Sequence, residues 1–279
     1  MRFVTAKGDV RIPVLGMGTW CFGGRTEHDA ANDDKSQISA LRKGIECGFT
    51  LIDTAEYYAS GYAEELIGRA IEGYDRQQLF ITSKVWKSNA SKERVLRACE
   101  NSLKRLKTDY LDCFLYHHFN PEIPLEETMA ALNLLVEQGK CRSIGVSNFS
   151  AALLRKALQY SNVPIVINQV HCSLAVREAL EDLQKYCREE KVVLQAWRPV
   201  RDLEETPECR TLCRKYGISF PQLALAWLLN LPDIAVITAM KDLRHLSENM
   251  AALEIPLAPE DMEILNNYPF RRPCGVPLA

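Results

Sequence analysis

The chain has 279 residues, 34 Lys+Arg against 36 Asp+Glu for a formal net charge of −2, 47% apolar residues and 25% charged ones. That length fits one large α/β domain or two ordinary ones. The near-neutral balance removes the long-range attraction that would draw the molecule to nucleic acid or an anionic membrane. No apolar run approaches the roughly 18 residues of a membrane span, and charges or glycine interrupt the opening MRFVTAKGDVRIP too often for a signal core. Ten cysteines form no CxxC pair, and most sit inside apolar periodic segments. They read as buried reduced thiols, so a cytoplasmic location is expected.

In chain order, FVTAKGDVRIPVL places Gly8-Asp9 between two strand-like runs and predicts a hairpin capping one end, within residues 1–14. PVLGMGTW (13–20) predicts a first core strand. Seven further β-rich runs follow: LIDTA (51–55), LFITSKV (79–85), LDCFLYH (111–117), SIGVSN (143–148), IVINQV (165–170), VVLQAW (192–197) and IAVITAM (234–240). Their nearly continuous apolar, β-branched character suits parallel strands covered on both faces. Between them Val95, Cys99, Leu103 and Leu106 share a helical face, as do Leu125, Met129, Leu132 and Val136, and Leu180, Leu183 and Cys187. Ser91 and Ser150 are placed as N-caps, and Pro259-Glu260-Asp261 reads as a Pro-initiated first turn. Eight strand–helix units predict an α/β fold, a single (β/α)8 TIM barrel over residues 1–279 with a short tail at 269–279. A doubly wound dinucleotide fold fits worse. Gly16-Met17-Gly18-Thr19-Trp20-Cys21 has Cys where the third glycine should stand, and no acidic residue follows a strand about 20 positions on.

In a barrel, polar groups at strand C-termini converge on one mouth. Asp53 ends LIDTA with Tyr58 on the loop after it, Lys84 ends FITSK, and His117 ends DCFLYH. Strand parity sends Leu51/Asp53, Thr82/Lys84 and Cys113/Leu115/His117 inward. A buried Lys and a buried Asp are costly apart, which predicts a pair. A cation beside the Tyr58 phenol favours phenolate and would bring its pKa towards neutrality. An imidazole donating to a carbonyl oxygen would orient it and stabilise developing charge. Such a set suits the reduction of C=O by hydride. It also admits a structural Asp–Lys pair and a tyrosine that only packs. His117-His118 is not expected to bind metal, because adjacent strand residues face opposite ways.

Seven collinear segments, GMGTW, IDTAEYYASGYAEELIGRAI, FITSKVW, LDCFLYHH, GKCRSIGVSNFS, INQV and HLSENMAAL, occur in the order and spacing of the aldo-keto reductase superfamily. The resemblance runs from about Leu15 to Tyr268. It implies a (β/α)8 barrel that binds NADP(H), less often NAD(H). Tyr58 then matches the proton donor, Lys84 and Asp53 the residues that tune it, and His117 the histidine that orients the carbonyl. Ser147, Asn148 and Gln169 match the groups holding the nicotinamide carboxamide. Trp197 takes the place of the aromatic that stacks on the nicotinamide ring. Met240, Lys241, His245, Glu248 and Asn249 fall among the cofactor contacts, and Trp20, Trp86 and His118 among residues lining the substrate pocket. The chain departs from the family in two stretches. Ile237-Thr238-Ala239-Met240-Lys241, with His245 beyond it, replaces the more basic form common among NADPH enzymes. Trp197-Arg198-Pro199-Val200 replaces a YSPL-like form.

The expected function is an oxidoreductase reducing small aldehydes or ketones with NAD(P)H, NADP(H) favoured, acting as a monomer on a small-molecule carbonyl. The alternative implied by the resemblance is a cofactor-binding redox sensor or accessory subunit with little turnover. An aldolase-type Schiff base on Lys84 would need an unprotonated amine, which Asp53 opposes. The short tail after Tyr268, PFRRPCGVPLA, predicts an open cleft with weak substrate selection.

Overall fold

The computed structural model describes residues 1–201, 203–239 and 243–269. Strands β1 (Phe3–Ala6) and β2 (Val10–Pro13) form an antiparallel hairpin that turns through Gly8 and Asp9, both at positive φ. Eight parallel strands close a barrel: β3 (Leu15–Gly18), β4 (Leu51–Asp53), β5 (Phe80–Val85), β6 (Cys113–Tyr116), β7 (Ile144–Ser147), β8 (Ile165–His171), β9 (Val193–Trp197) and β10 (Ile234–Ala239), with β10 pairing back onto β3. Helices α1 (Asp34–Glu46), α2 (Tyr62–Ala70), α3 (Lys92–Leu106), α4 (Leu125–Glu137), α5 (Ala151–Gln159) and α6 (Asp182–Glu189) each follow a strand. The pair α7 (Pro207–Tyr216) and α8 (Phe220–Asn230) joins β9 to β10, and α9 (Leu243–Ala252) and α10 (Pro259–Asn266) come last.

The alternation of strand side chains divides the core in two. Outward residues such as Ile52, Ile81, Phe114 and Val146 meet Leu66, Val95, Met129 and Leu154 of the helices. Inside the barrel Cys113, Leu115, Ile167, Val193 and Ala235 pack with Ala6 and Ile12 of the hairpin, so the hairpin plugs the barrel floor. Helix α8 carries an apolar run buried over Leu223–Leu229 and is started by a capping box from Ser219 and Gln222.

Some local expectations shift. The strand at 51 stops at Asp53, so Thr54 and Ala55 already belong to the rim, and His117 lies one residue past β6. Ser150 caps α5 through the Leu153 N–H, whereas Ser91 stands at the N-cap of α3 without a side-chain cap bond. Leu180 sits in a separate 3-10 turn before α6 rather than on its face. The nine described cysteines are free thiols, all but Cys21 and Cys47 buried. Among the described residues no helix is long and apolar enough to cross a membrane.

Candidate active site

The C-terminal ends of the strands surround a cleft of about 780 Å³. At its base β4 delivers Asp53 and β5 delivers Lys84, both fully buried. The Lys84 ammonium donates to Asp53 Oδ1 at 2.8 Å, to the Thr54 carbonyl at 2.7 Å and to the Tyr58 hydroxyl at 3.2 Å. Three N–H bonds meet three acceptors, so the amine has no lone pair to offer a Schiff base. Burial works to strip its proton, yet Asp53 and Tyr58 outweigh burial and hold the Lys84 pKa above the usual lysine value. Burial likewise pushes the Asp53 carboxyl above the ordinary carboxylate range, against the pull of Lys84 and Gln169.

Tyr58 departs from the expected direction. Burial raises its pKa, Asp53 adds to that, and the opposing Lys84 charge does not reverse it. The resting side chain is a phenol. Its oxygen accepts from Lys84, which leaves its own O–H to donate into the cleft. His117 is pressed well below the ordinary histidine value by burial, with Lys84 and His118 adding to it, and is therefore neutral. Its ring meets Tyr58, Tyr57 and Trp86 edge-on, and its Nδ1 is buried without a hydrogen-bond partner among the described residues. Burial brings His118 down to about 4, helped by Lys87 and Lys84.

The loop carrying Tyr58 is unusual. Ala59, Ser60 and Gly61 take three successive positive φ angles, 50°, 53° and 92°. The Ala59 N–H donates to the Arg25 carbonyl at 2.7 Å, and the Ser60 hydroxyl donates to the Thr26 carbonyl at 3.0 Å. Behind Gly61 the fully buried Glu64 accepts from Ser83 and from Arg105.

One wall is aromatic. Trp20, Tyr57 and Trp86 stack nearly parallel, with centroid separations of 6.5 and 3.8 Å. Tyr57 lines the cleft together with Trp20, Trp86 and His118, and sequence reasoning missed it; the signal was an aromatic directly beside Tyr58. Glu56, also missed, accepts the Trp86 N–H at 2.7 Å and Asn89 Nδ2 at 3.0 Å, fixing the backbone from which Trp86 projects.

The opposite side comes from β7 to β10. Asn148 at φ 63° accepts from Trp197 Nε1 at 3.2 Å and donates to the Ser147 hydroxyl at 3.0 Å and the His117 carbonyl at 3.2 Å. The Ser147 hydroxyl donates to the Gln169 backbone carbonyl at 2.8 Å. Trp197 stacks on His171 at 4.5 Å, and the Arg198 guanidinium lies over its ring. His171, at the end of β8, went unnoticed in the sequence. Arg198 and Arg201 line the cleft next, followed by Thr238, His245, Glu248 and Asn249. Asn249 donates to Thr238 at 3.2 Å. Of the expected cofactor contacts, Met240 and Lys241 lie outside the described residues. The others, and all seven expected catalytic and pocket residues except the buried Lys84 beneath its floor, border this one cleft.

The chain matches the model of the Aldo/keto reductase family over residues 14–268. It is 35% identical over 277 residues to the methylglyoxal reductase YeaE of Escherichia coli, covering 96% of this chain and 95% of that protein. A thermostable aldo-keto reductase crystallised with the inhibitor epalrestat superposes with a TM-score of 0.92 at 41% identity, covering 95% of this chain and 99% of that one. An aldo/keto reductase from Klebsiella pneumoniae in complex with NADP and acetate gives 0.86 at 36% identity, covering 98% of each chain. Barrel, cleft and relatives converge: the chain belongs to the aldo/keto reductase family.

Proposed function

We propose that this protein reduces small aldehydes and ketones to alcohols with NADPH as reductant, Tyr58 acting as proton donor. The observation that carries the reading is the Lys84 ammonium held 2.8 Å from Asp53 and 3.2 Å from the Tyr58 hydroxyl at the base of the cleft. The residues present fit a nicotinamide dinucleotide. Amide and hydroxyl groups of Ser147, Asn148 and Gln169 gather where a carboxamide needs partners, Trp197 offers a flat ring, and Arg198 and Arg201 suit phosphate oxygens.

When bound, the dihydronicotinamide supplies the hydride that goes to the carbonyl carbon. Neutral His117 orients the carbonyl oxygen with an N–H. The Tyr58 O–H gives its proton to that oxygen as negative charge develops there. The phenolate so formed lies against the Lys84 ammonium, which stabilises it at the moment of transfer. Trp20, Tyr57 and Trp86 keep water from the reacting carbon. The Escherichia coli relative is a methylglyoxal reductase, and small 2-oxoaldehydes are the proposed substrate class here. The buried free thiols support a reducing, cytoplasmic setting.

The test is Tyr58→Phe, assayed with methylglyoxal and NADPH. Reduction should fall by about 10²-fold or more, the scale of a lost general acid, while NADPH affinity stays within a few-fold. A variant that retains most of its kcat would remove Tyr58 from the mechanism. A parent protein that binds NADPH tightly yet turns over no aldehyde would favour the redox-sensor alternative.

A further inference from the structure

Below the cleft, the barrel interior changes from apolar to polar within one strand turn. Ile167 and Val193 belong to the apolar floor. Two residues further along the same inward faces stand Gln169 and Gln195, register partners on β8 and β9. Gln195 is fully buried and Gln169 nearly so. Gln169 Nε2 donates to Asp53 Oδ2 at 2.7 Å and to Gln195 Oε1 at 2.7 Å. An amide nitrogen has two hydrogens, and both are thereby taken. Gln169 can offer the cleft its carbonyl oxygen and nothing else.

The same arrangement is unfavourable for Gln195 itself. Its Nε2 is buried with no partner among the described residues. Turning the Gln195 amide over would bring that nitrogen against Gln169 Nε2, donor facing donor. The orientation that strands a buried N–H2 is thus the one that supplies Gln169 with an acceptor. An apolar side chain of similar size would remove that stranded donor, but it would also leave one Gln169 hydrogen without its acceptor. We propose that Gln195 is a positioning residue of the nicotinamide subsite: it fixes the plane of the Gln169 amide so that Oε1 faces the cleft to accept from a carboxamide N–H2. This rests on the cofactor reading above. It also makes one hydrogen-bonded chain of Gln195, Gln169, Asp53, Lys84 and Tyr58, so the cofactor headgroup and the proton donor share a support.

The experiment compares Gln195→Leu with the parent for binding of NADPH and of adenosine 2′,5′-bisphosphate, which lacks the nicotinamide half. Gln195→Leu should weaken NADPH about fivefold or more, the equivalent of one hydrogen bond, with the bisphosphate unchanged and Tm close to the parent's, since the stranded Gln195 donor is exchanged for an unpaired Gln169 hydrogen. Gln195→Glu keeps an acceptor oxygen at that position and should bring NADPH affinity back towards the parent's. Equal loss for both ligands would mean general distortion of the barrel, and no loss for either would mean that Asp53 alone holds Gln169; each overturns the proposal. A parent that binds neither ligand would instead sink the cofactor reading itself.

Discussion

Lys84 shows how far one side chain sets the chemistry of the cleft. Its three hydrogens are committed to Asp53, Thr54 and Tyr58, and no water is needed to keep it charged. Lys84→Met leaves the Asp53 carboxyl buried without its cation, at a cost of about 3–5 kcal/mol. Urea unfolding should show that loss, and adding Asp53→Asn should recover most of the stability and none of the turnover. The imidazoles give a second, pH-dependent outcome. His117 and His118 titrate below the unfolded value of 6.5, His118 at about 4, both chiefly through burial. Below 6.5 the unfolded chain therefore binds protons that the folded one refuses. Their contribution is complete above pH 6.5 and is lost as pH falls from there towards 4, so the unfolding midpoint should drop on acidification. His118→Asn should flatten that slope. Tyr58 marks the limit of reading residues from sequence. The neighbouring cation was legible from strand parity, but the net direction of the phenol's pKa depends on how completely packing removes water. That is a property of the folded cleft, not of spacing.

Elements were easier to read than the loops that join them. The eight β-rich runs have a parallel-strand signature because both faces of each strand are covered; seven strands form within those runs, and β8 extends one residue past its run to His171. The loop after β4 has no such signal. In EYYASGY nothing announces that Ala59 and Ser60 adopt left-handed backbone, since neither residue favours it. The conformation is imposed from outside, by the Arg25 and Thr26 carbonyls on one side and the Glu64–Arg105 pair on the other. Gly61 is where this can be tested. At φ 92° a side chain is strained, and an added Cβ would sit 2.6 Å from Arg105 Nε, which Glu64 holds in place. Gly61→Ala should cost roughly 1–2 kcal/mol from the backbone alone, and more from the contact. Because Tyr58 begins the same turn, kcat should fall while NADPH affinity, set on the far side of the cleft, holds. A variant destabilised in urea but with full kcat would show that the turn does not position the phenol.

At the scale of the whole molecule, stability and chemistry occupy opposite ends of one barrel. The hairpin was legible from Gly8-Asp9 between two strand-like runs, and its contacts explain what it does for the barrel. Ile12, fully buried, and Ala6 enter the interior beside Cys113, Ile167, Val193 and Ala235, closing an end that would otherwise admit water to an apolar floor. The polar layer of Asp53, Gln169 and Gln195 lies above that floor, and its charges are strengthened by the dry medium beneath them. Two regimes follow. Ile12→Ala leaves a cavity that the surrounding strands cannot fill, because each is pinned by its neighbours around a closed barrel; the expected loss is about 2–5 kcal/mol. Active-site geometry is carried by the opposite strand ends and their loops, so kcat/KM at a temperature where the variant remains folded should stay within about twofold of the parent. Denaturant titration and steady-state kinetics on the same preparation separate the two quantities. A fall in kcat/KM that tracks the loss of stability would mean that the floor transmits strain to Asp53 and Lys84, and that the two ends of the barrel are one mechanical unit.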